Sequence, residues 1–375
     1  MRIAFVFGSF CIGRPFDFTR LYEDDRGLTG SEVSCFCYAE GMAKLGHEVT
    51  IFTVTVNTPD RFLWNGVLIR PFDAYTSSDK NQFDVIMAWM NPDFIHGVAP
   101  GPLRVVDQQL NDFGYCKPGW ESFVDVVGGL SETHTEYLKT CAPAVPDNKW
   151  ESFYNGMDPS AFDECAKIPG RVIYASSPDR GLHLLLQQWP HIRRQVPHAV
   201  LRIFYNFDPW VAAMKAIPFH AEPALHEQKH RALYCSEAVE RLRGHGIEHF
   251  KSVSRKRIAR EMSEAQVLAY PCDPVRWTEG FSNTILEACY AGAAVVTSNV
   301  DALGQLYGGA AITIPDIKNN LDTFTDEVIR LLREEGYRQE IVRKSRKRAL
   351  KYTWESNCKR LEGILNRRMS SLGRS

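Results

Sequence analysis

Short β-branched and aromatic runs alternate with longer amphipathic segments along almost the whole chain, and the alternation breaks clearly only once. Strands separated by helical returns pair side by side as a parallel sheet, with the helices covering its faces. In the first half the strand-like runs fall at residues 3–7, 49–53, 67–71, 85–89, 104–107 and 124–127. A helix is expected from 31 to 45, stopped at Gly46 by a left-handed cap. The connection from Phe7 to Gly30 is long for a strand-to-helix loop, a feature usually tied to function. Near Asn155-Gly-Met-Asp-Pro and Asp163-Glu-Cys-Ala-Lys-Ile-Pro-Gly170 the pattern gives way to turn and linker residues. It resumes at 172–175, 201–205, 249–253, 267–270, 294–297 and 311–314. A chain of 375 residues is long for one hydrophobic core, so two α/β domains are expected, with a boundary near Ile168.

Charge and cysteine usage narrow the function classes. A formal net charge of −1 excludes a whole-protein role in coating nucleic acid, while leaving room for a local basic patch. The 10 cysteines lack metal-type spacing, and the close pair Cys35-Phe-Cys37 sits in an apolar stretch as core thiols. The opening Met1-Arg-Ile-Ala-Phe-Val-Phe reads as a first strand, not an export signal. No apolar run reaches the roughly 20 residues of a membrane span. Free thiols without an export signal point to a reducing cytoplasm. Residues 337 to about 368 read as helical and basic, with an apolar stripe of Trp354, Leu361, Ile364 and Leu365. That pattern suits a terminal helix packed on a domain with a solvated basic face. A peripheral contact with a membrane or nucleic acid is the other use of the same charges.

The chemistry concentrates in Tyr270-Pro-Cys-Asp-Pro-Val-Arg-Trp-Thr-Glu-Gly-Phe-Ser-Asn-Thr-Ile-Leu-Glu-Ala. A strand ends near Pro271, a loop follows, and a helix opens near Ser282, whose side chain and that of Asn283 suit an N-cap. In open parallel sheets ligands bind outside the carboxyl ends of the strands, where this loop lies. The free N–H groups of the helix's first turn make an anion site suited to a diphosphate. Glu279 precedes that helix and Glu287 lies one to two turns inside it. Two carboxylates beside a phosphate site need partners, and sugar and ribose hydroxyls are suitable ones.

This segment resembles the E-x7-E motif of family-4 retaining glycosyltransferases with the GT-B fold. Gly27-Leu-Thr-Gly-Ser-Glu32 with Leu45-Gly-His-Glu-Val-Thr-Ile, then Asn155-Gly-Met-Asp158, then Tyr174-Ala-Ser-Ser-Pro-Asp-Arg-Gly-Leu182 resemble further family segments in the same order. The resemblance implies two Rossmann-like domains facing across a cleft. Residues 1–168 would form the acceptor domain, joined by a C-terminal helix at about 352–375, and 169–351 the donor domain. It implies that Glu279 meets the transferred sugar and Glu287 the ribose. Gly280, Phe281, Ser282, Asn283 and Thr284 would line the sugar and diphosphate region. Arg180 would neutralise the leaving diphosphate, with Ser177 beside it and Val253 near the base. Gly30 and Ser31 would contribute a phosphate or acceptor loop. A nucleotide-diphosphate sugar, of UDP or GDP, would be co-substrate, with no further cofactor.

The chain also departs from the family. Ser176 and Ser177 stand where many members have a second basic residue, and Val106-Asp-Gln-Gln-Leu-Asn-Asp112 lacks the usual acceptor-domain histidine. Arg255, Lys256 and Arg257 begin an expected helix and are read as a solvated charge run, help with phosphate neutralisation being the other use of these charges. Asp107 is a catalytic candidate at a strand end, with Gln108 and Gln109 beside it; His134 is read as structural. No D-x-D triplet occurs, so metal-independent transfer is expected, with Arg180 and a helix N-terminus replacing the ion. The aromatic and basic loop from Phe10 to Tyr22 permits a glycan, protein, lipid-linked or nucleic-acid acceptor, a glycan being the first expectation. Two other readings remain: a phosphorylase-like enzyme, for which no pyridoxal-phosphate lysine can be placed, and a non-catalytic sugar- or nucleic-acid-binding derivative of a transferase.

Overall fold

The structure, a computed structural model, describes residues 1–8, 15–24, 27–76, 82–98, 101–218 and 220–373. It divides into two units. Residues 1–21, 28–156 and 352–375 form the first, and residues 22–27 and 157–351 the second. The boundary thus falls after Gly156 rather than near Ile168.

In the first unit, eight strands build one sheet in the order β3-β4-β2-β1-β5-β6-β7-β8. They are β1 (Arg2–Phe7), β2 (Glu48–Thr53), β3 (Phe62–Trp64), β4 (Val67–Pro71), β5 (Val85–Trp89), β6 (Leu103–Asp107), β7 (Val126–Gly129) and β8 (Trp150–Ser152). All pairings are parallel except β3 with β4. That hairpin turns through Asn65 and Gly66, both at positive φ, the geometry of a two-residue turn matched to strand twist. The central strands are buried on both faces and therefore read as continuous apolar runs such as Val85–Trp89. β7 begins two residues later than expected. Asp125 sits at the strand mouth, held by Arg104 at 2.8 and 3.0 Å, while Gly128 and Gly129 lie inside the strand. A Cβ on Gly128 would come within 1.9 Å of the Phe153 ring, so close packing requires a residue of low strand propensity there. Helices α1 (Gly30–Lys44) and α2 (Glu132–Cys141) return the chain; α1 opens with a capping box between Thr29 and Glu32.

The second unit carries six parallel strands: β9 (Arg171–Tyr174), β10 (Val200–Phe204), β11 (Ile247–Phe250), β12 (Val267–Tyr270), β13 (Ala294–Ser298) and β14 (Ile312–Ile314). Their order is β11-β10-β9-β12-β13-β14, the doubly wound arrangement in which the winding direction reverses between β9 and β12. β11 is placed two residues before the expected 249–253, because Lys251–Val253 instead form the approach to a helix N-cap at Ser254. The helices are α3 (Leu182–Gln195), α4 (Phe207–Lys215), α5 (Pro223–Arg241), α6 (Arg255–Glu264), α7 (Asn283–Ala291), α8 (Leu303–Tyr307), α9 (Leu321–Arg333) and α10 (Glu335–Ala349).

The basic C-terminal stretch is not one helix. α10 ends at Ala349, and α11 (Trp354–Ser371) restarts from a Thr353 N-cap that accepts the Ser356 N–H at 3.1 Å. α11 packs on the first unit. Trp354 meets Tyr38 edge-on at 5.2 Å, Asn357 donates to the Asn155 carbonyl at 2.9 Å, and Leu361, Ile364 and Leu365 are buried. Gly41 on α1 makes room for Cys358, whose Sγ would lie 2.2 Å from a Cβ there. Among the described residues no helix is long and apolar enough to cross a membrane.

Two glycine substitutions separate these effects. Gly41→Ala should lower stability by about 1–3 kcal/mol through overpacking against Cys358. Gly363→Ala, in α11 with nothing within 4 Å of the added methyl, should raise it by about 0.5–1 kcal/mol. Chemical denaturation of the two variants checks the opposite signs.

Candidate active site

The reversal between β9 and β12 opens a crevice at the carboxyl ends of these strands, and the two loops that follow them carry the principal polar groups. After β9 the chain makes a short turn, Pro178–Arg180, and Gly181 follows at φ 110°. A Cβ on Gly181 would lie 1.8 Å from the Pro271 carbonyl, so only glycine lets the β9 loop approach the β12 loop this closely. Tyr174 donates its hydroxyl to the Ser177 carbonyl at 2.8 Å, Ser177 bonds Asp179, and Thr284 bonds the Ala175 carbonyl at 2.8 Å. These bonds fix Arg180 at the crevice.

Glu279 meets it there. Arg180 Nη1 lies 2.6 Å from Glu279 Oε1, and the Tyr270 hydroxyl donates to the same oxygen at 2.7 Å. Burial, with Cys272 and Glu279 nearby, pushes the Tyr270 phenol well above its ordinary pKa, so it stays a donor. Ser176, which stands where the family pattern has a basic residue, lies 3.2 Å from that hydroxyl. The Glu279 side chain is fully buried, yet Oε2 has no hydrogen-bond partner. The loop itself is pinned by Asp301, whose Oδ2 accepts both the Thr278 and Glu279 N–H groups at 2.9 Å.

Three residues later the chain enters α7. Ser282 caps it, accepting the Ile285 N–H at 3.4 Å, while Tyr307 holds the Ser282 carbonyl at 2.7 Å and meets Phe281 edge-on at 6.4 Å. Gly280 and Phe281 are buried, and Asn283 and Thr284 form the first turn of this nine-residue helix. Glu287, also buried, pairs with Arg255 through both oxygens, at 2.6 and 3.2 Å. Each carboxylate of the segment therefore has its own arginine. Val253 is half-buried in the loop leading to the Ser254 cap of α6.

Residues 172–348 match the family described as glycosyl transferases group 1. The match spans most of the second unit. Solved structures resemble the chain over nearly its full length. Sucrose-phosphate synthase from Thermosynechococcus elongatus is 13% identical, with a TM-score of 0.70 and 99% of each chain covered. HepE from Anabaena, in complex with UDP and glucose, is 14% identical, with a TM-score of 0.64 over 98% of this chain and 99% of that one. The α,α-trehalose-phosphate synthase (UDP-forming) from Burkholderia vietnamiensis is 10% identical, with a TM-score of 0.65 over 100% and 98%. At such identities the likeness shows the fold, which is GT-B. No curated protein matches the chain in sequence. Domain and fold together make this chain a glycosyltransferase.

In the glycosyltransferase a second ionic cluster lies behind the crevice. Arg231 on α5 is 3% exposed. It donates to the Asp273 carboxylate at 2.9 Å, to the Asp273 carbonyl, to the Asp179 carbonyl at 3.4 Å and to Glu227 at 2.8 Å. One guanidinium thus ties the β9 loop to the β12 loop. His183 lies 3.7 Å from Asp273, and burial and Arg231 push its pKa down to about 4, so it is neutral at ordinary pH. Sequence reasoning missed Arg231, Asp273 and Asp301, and read Arg255 as solvated. Apart from Glu227, one helical turn from Arg231, the hydrogen-bond partners of their side chains lie 22 to 52 residues away, at spacings no local pattern encodes.

The candidates of the first unit occupy other surroundings. Gly30 and Ser31 form the first turn of α1, with the Ser31 carbonyl held by the Trp89 indole at 3.0 Å. Asp107, expected as a catalytic candidate, ends β6 with no exposed surface. Gln109 donates to it at 2.6 Å, its Oδ2 has no partner, and burial pushes its pKa up to about 8. Gln108 bonds Tyr115 at 2.8 Å and the Asp112 carbonyl at 2.9 Å. His134 is wholly buried, accepts the Leu130 N–H at 3.0 Å, and is pushed down to about 4 by burial. Residues 10–14 of the aromatic loop lie outside the described residues.

Asp107 gives a pH prediction. Its folded pKa lies above the unfolded value, so its contribution to stability is full below about pH 4 and is lost as pH rises toward 8. Asp107→Asn should remove that loss: relative to wild type, the variant gains stability between pH 5 and pH 8. Denaturation midpoints at both pH values check the sign.

Proposed function

We propose that the protein transfers a sugar from a nucleotide-diphosphate donor, UDP- or GDP-linked, to an acceptor hydroxyl, with retention of configuration and without a metal ion. The observation that carries this reading is Glu279. A fully buried carboxylate spends one oxygen on Arg180 and Tyr270 and leaves the other without a partner, at the mouth of a helix N-terminus. Buried polar atoms in native structures are nearly always satisfied, and a sugar hydroxyl brought by the donor satisfies this one.

The diphosphate is assigned to the N-terminus of α7 and to Arg180. The first-turn amides and a permanently charged guanidinium stabilise the charge that develops as the glycosidic bond breaks. This electrostatic work replaces that of a divalent cation. In the retaining picture the acceptor attacks the face from which the diphosphate leaves, and the leaving phosphate takes the acceptor proton. Glu279 then holds the sugar rather than acting as a nucleophile. Asp107, buried and held by Gln109, is assigned to the scaffold of the first unit rather than to proton transfer. The acceptor is assigned to the glycan class, and the first unit to its binding.

Turnover tests the reading. Wild type should hydrolyse or transfer from a UDP- or GDP-sugar, and Glu279→Gln and Arg180→Ala should each lower kcat by about 10²–10³-fold, the usual cost of removing one electrostatic contact to a transition state. Activity should survive EDTA, and the product should keep the donor's anomeric configuration by NMR. Activity lost with EDTA and restored by magnesium or manganese would overturn the metal-free step, and an inverted product would overturn retention.

A further inference from the structure

Arg255 is the first residue of α6, where the helix dipole disfavours a cation. The reason for an arginine at this position therefore lies outside its own helix. Of the three consecutive basic residues, Lys256 is exposed, and Arg257 lies over the Phe250 ring at 5.0 Å and 3.8 Å from Glu261. Only Arg255 turns to α7, which packs against α6, and there it grips Glu287 with a two-toothed fork. Glu287 is 4% exposed between Leu286 and Ala288, both fully buried. Its charge would be costly in that setting without a fixed partner.

A carboxylate has about four lone-pair sites. The fork takes one on each oxygen and, being planar, fixes the plane of the other two. A carboxylate so oriented is matched to two adjacent hydroxyls, as acidic residues in other doubly wound nucleotide sites are matched to ribose.

We propose that Arg255 is a specificity-determining positioning residue: through Glu287 it makes the site select a nucleotide with an intact ribose diol over its 2′-deoxy counterpart. The inference rests on the donor-site reading given above. The site's second arginine stands on the nucleoside side, paired with Glu287, rather than on the diphosphate.

Calorimetric titration with UDP, GDP and ADP, each beside its 2′-deoxy form, tests this. Wild type should bind the ribose form of its preferred base about tenfold more tightly or better, the worth of one hydrogen bond to a charged group. Arg255→Gln should bring that ratio to within about twofold, as should Glu287→Gln, and the double variant should lose nothing further. Arg255→Lys keeps the charge without the fork and should also lose most of the ratio, which guards against a glutamine variant that fails to fold. A wild-type ratio retained in Arg255→Gln, or equal weakening of both forms, would overturn the proposal. So would a ratio near one in the wild type. If the wild type binds none of the three diphosphates, the donor site falls, and this inference with it.

Discussion

The second unit is organised around one ion pair, the half-buried Arg180 with the buried Glu279. The two residues are 99 positions apart, and they meet because the sheet reverses its winding between β9 and β12. Gly181 permits the approach, Arg231 ties the two loops from behind, and Asp301 takes both N–H groups at the Glu279 turn. A buried carboxylate is expensive unless paired and hydrogen-bonded. Every one of these contacts either satisfies Glu279 or holds in place something that does. The other oxygen, Oε2, is buried without a hydrogen-bond partner.

The same economy repeats one turn and a half along α7, where Glu287 takes Arg255. Two carboxylates and two arginines give a site with little net charge before any ligand arrives, beside the N-terminus of α7. Such a site favours a ligand that carries its own negative charge and its own hydroxyls together. A nucleotide-diphosphate sugar has both.

The fold was largely legible because strands buried on both faces are written as apolar runs, and 67–71, 85–89 and 267–270 coincide with β4, β5 and β12. The turn signal Asn65-Gly66 stands plainly in the sequence, but its flanking strand, Phe62–Trp64, is too short for a periodic pattern. β7 was misplaced because Gly128 and Gly129 are chosen for packing against Phe153 and Thr135, which overrides strand propensity. The break between α10 and α11 was hidden because a run of lysines and arginines reads as helix throughout, and the Thr353 cap is its only local mark. At the site, the Glu279–Glu287 spacing and the Ser282 cap could be read directly, since capping is local chemistry. Arg255, Arg231 and Asp301 could not: a single basic or acidic residue has no pattern, and its partner is set by tertiary structure. Asp107 shows what a strand-end position leaves open: the sequence marks the acid but not its burial or the hydrogen bond from Gln109.

The central claim is that Arg180, held by Glu279, belongs to a diphosphate site at the start of α7. Comparing the affinities of wild type and Arg180→Gln for a nucleoside diphosphate and for the corresponding free nucleoside tests it most directly. The account predicts that the variant loses about tenfold or more in affinity for the diphosphate while binding the nucleoside as before, since only the phosphates should meet this guanidinium. Unchanged affinity for the diphosphate, or an equal loss for both ligands, would contradict it.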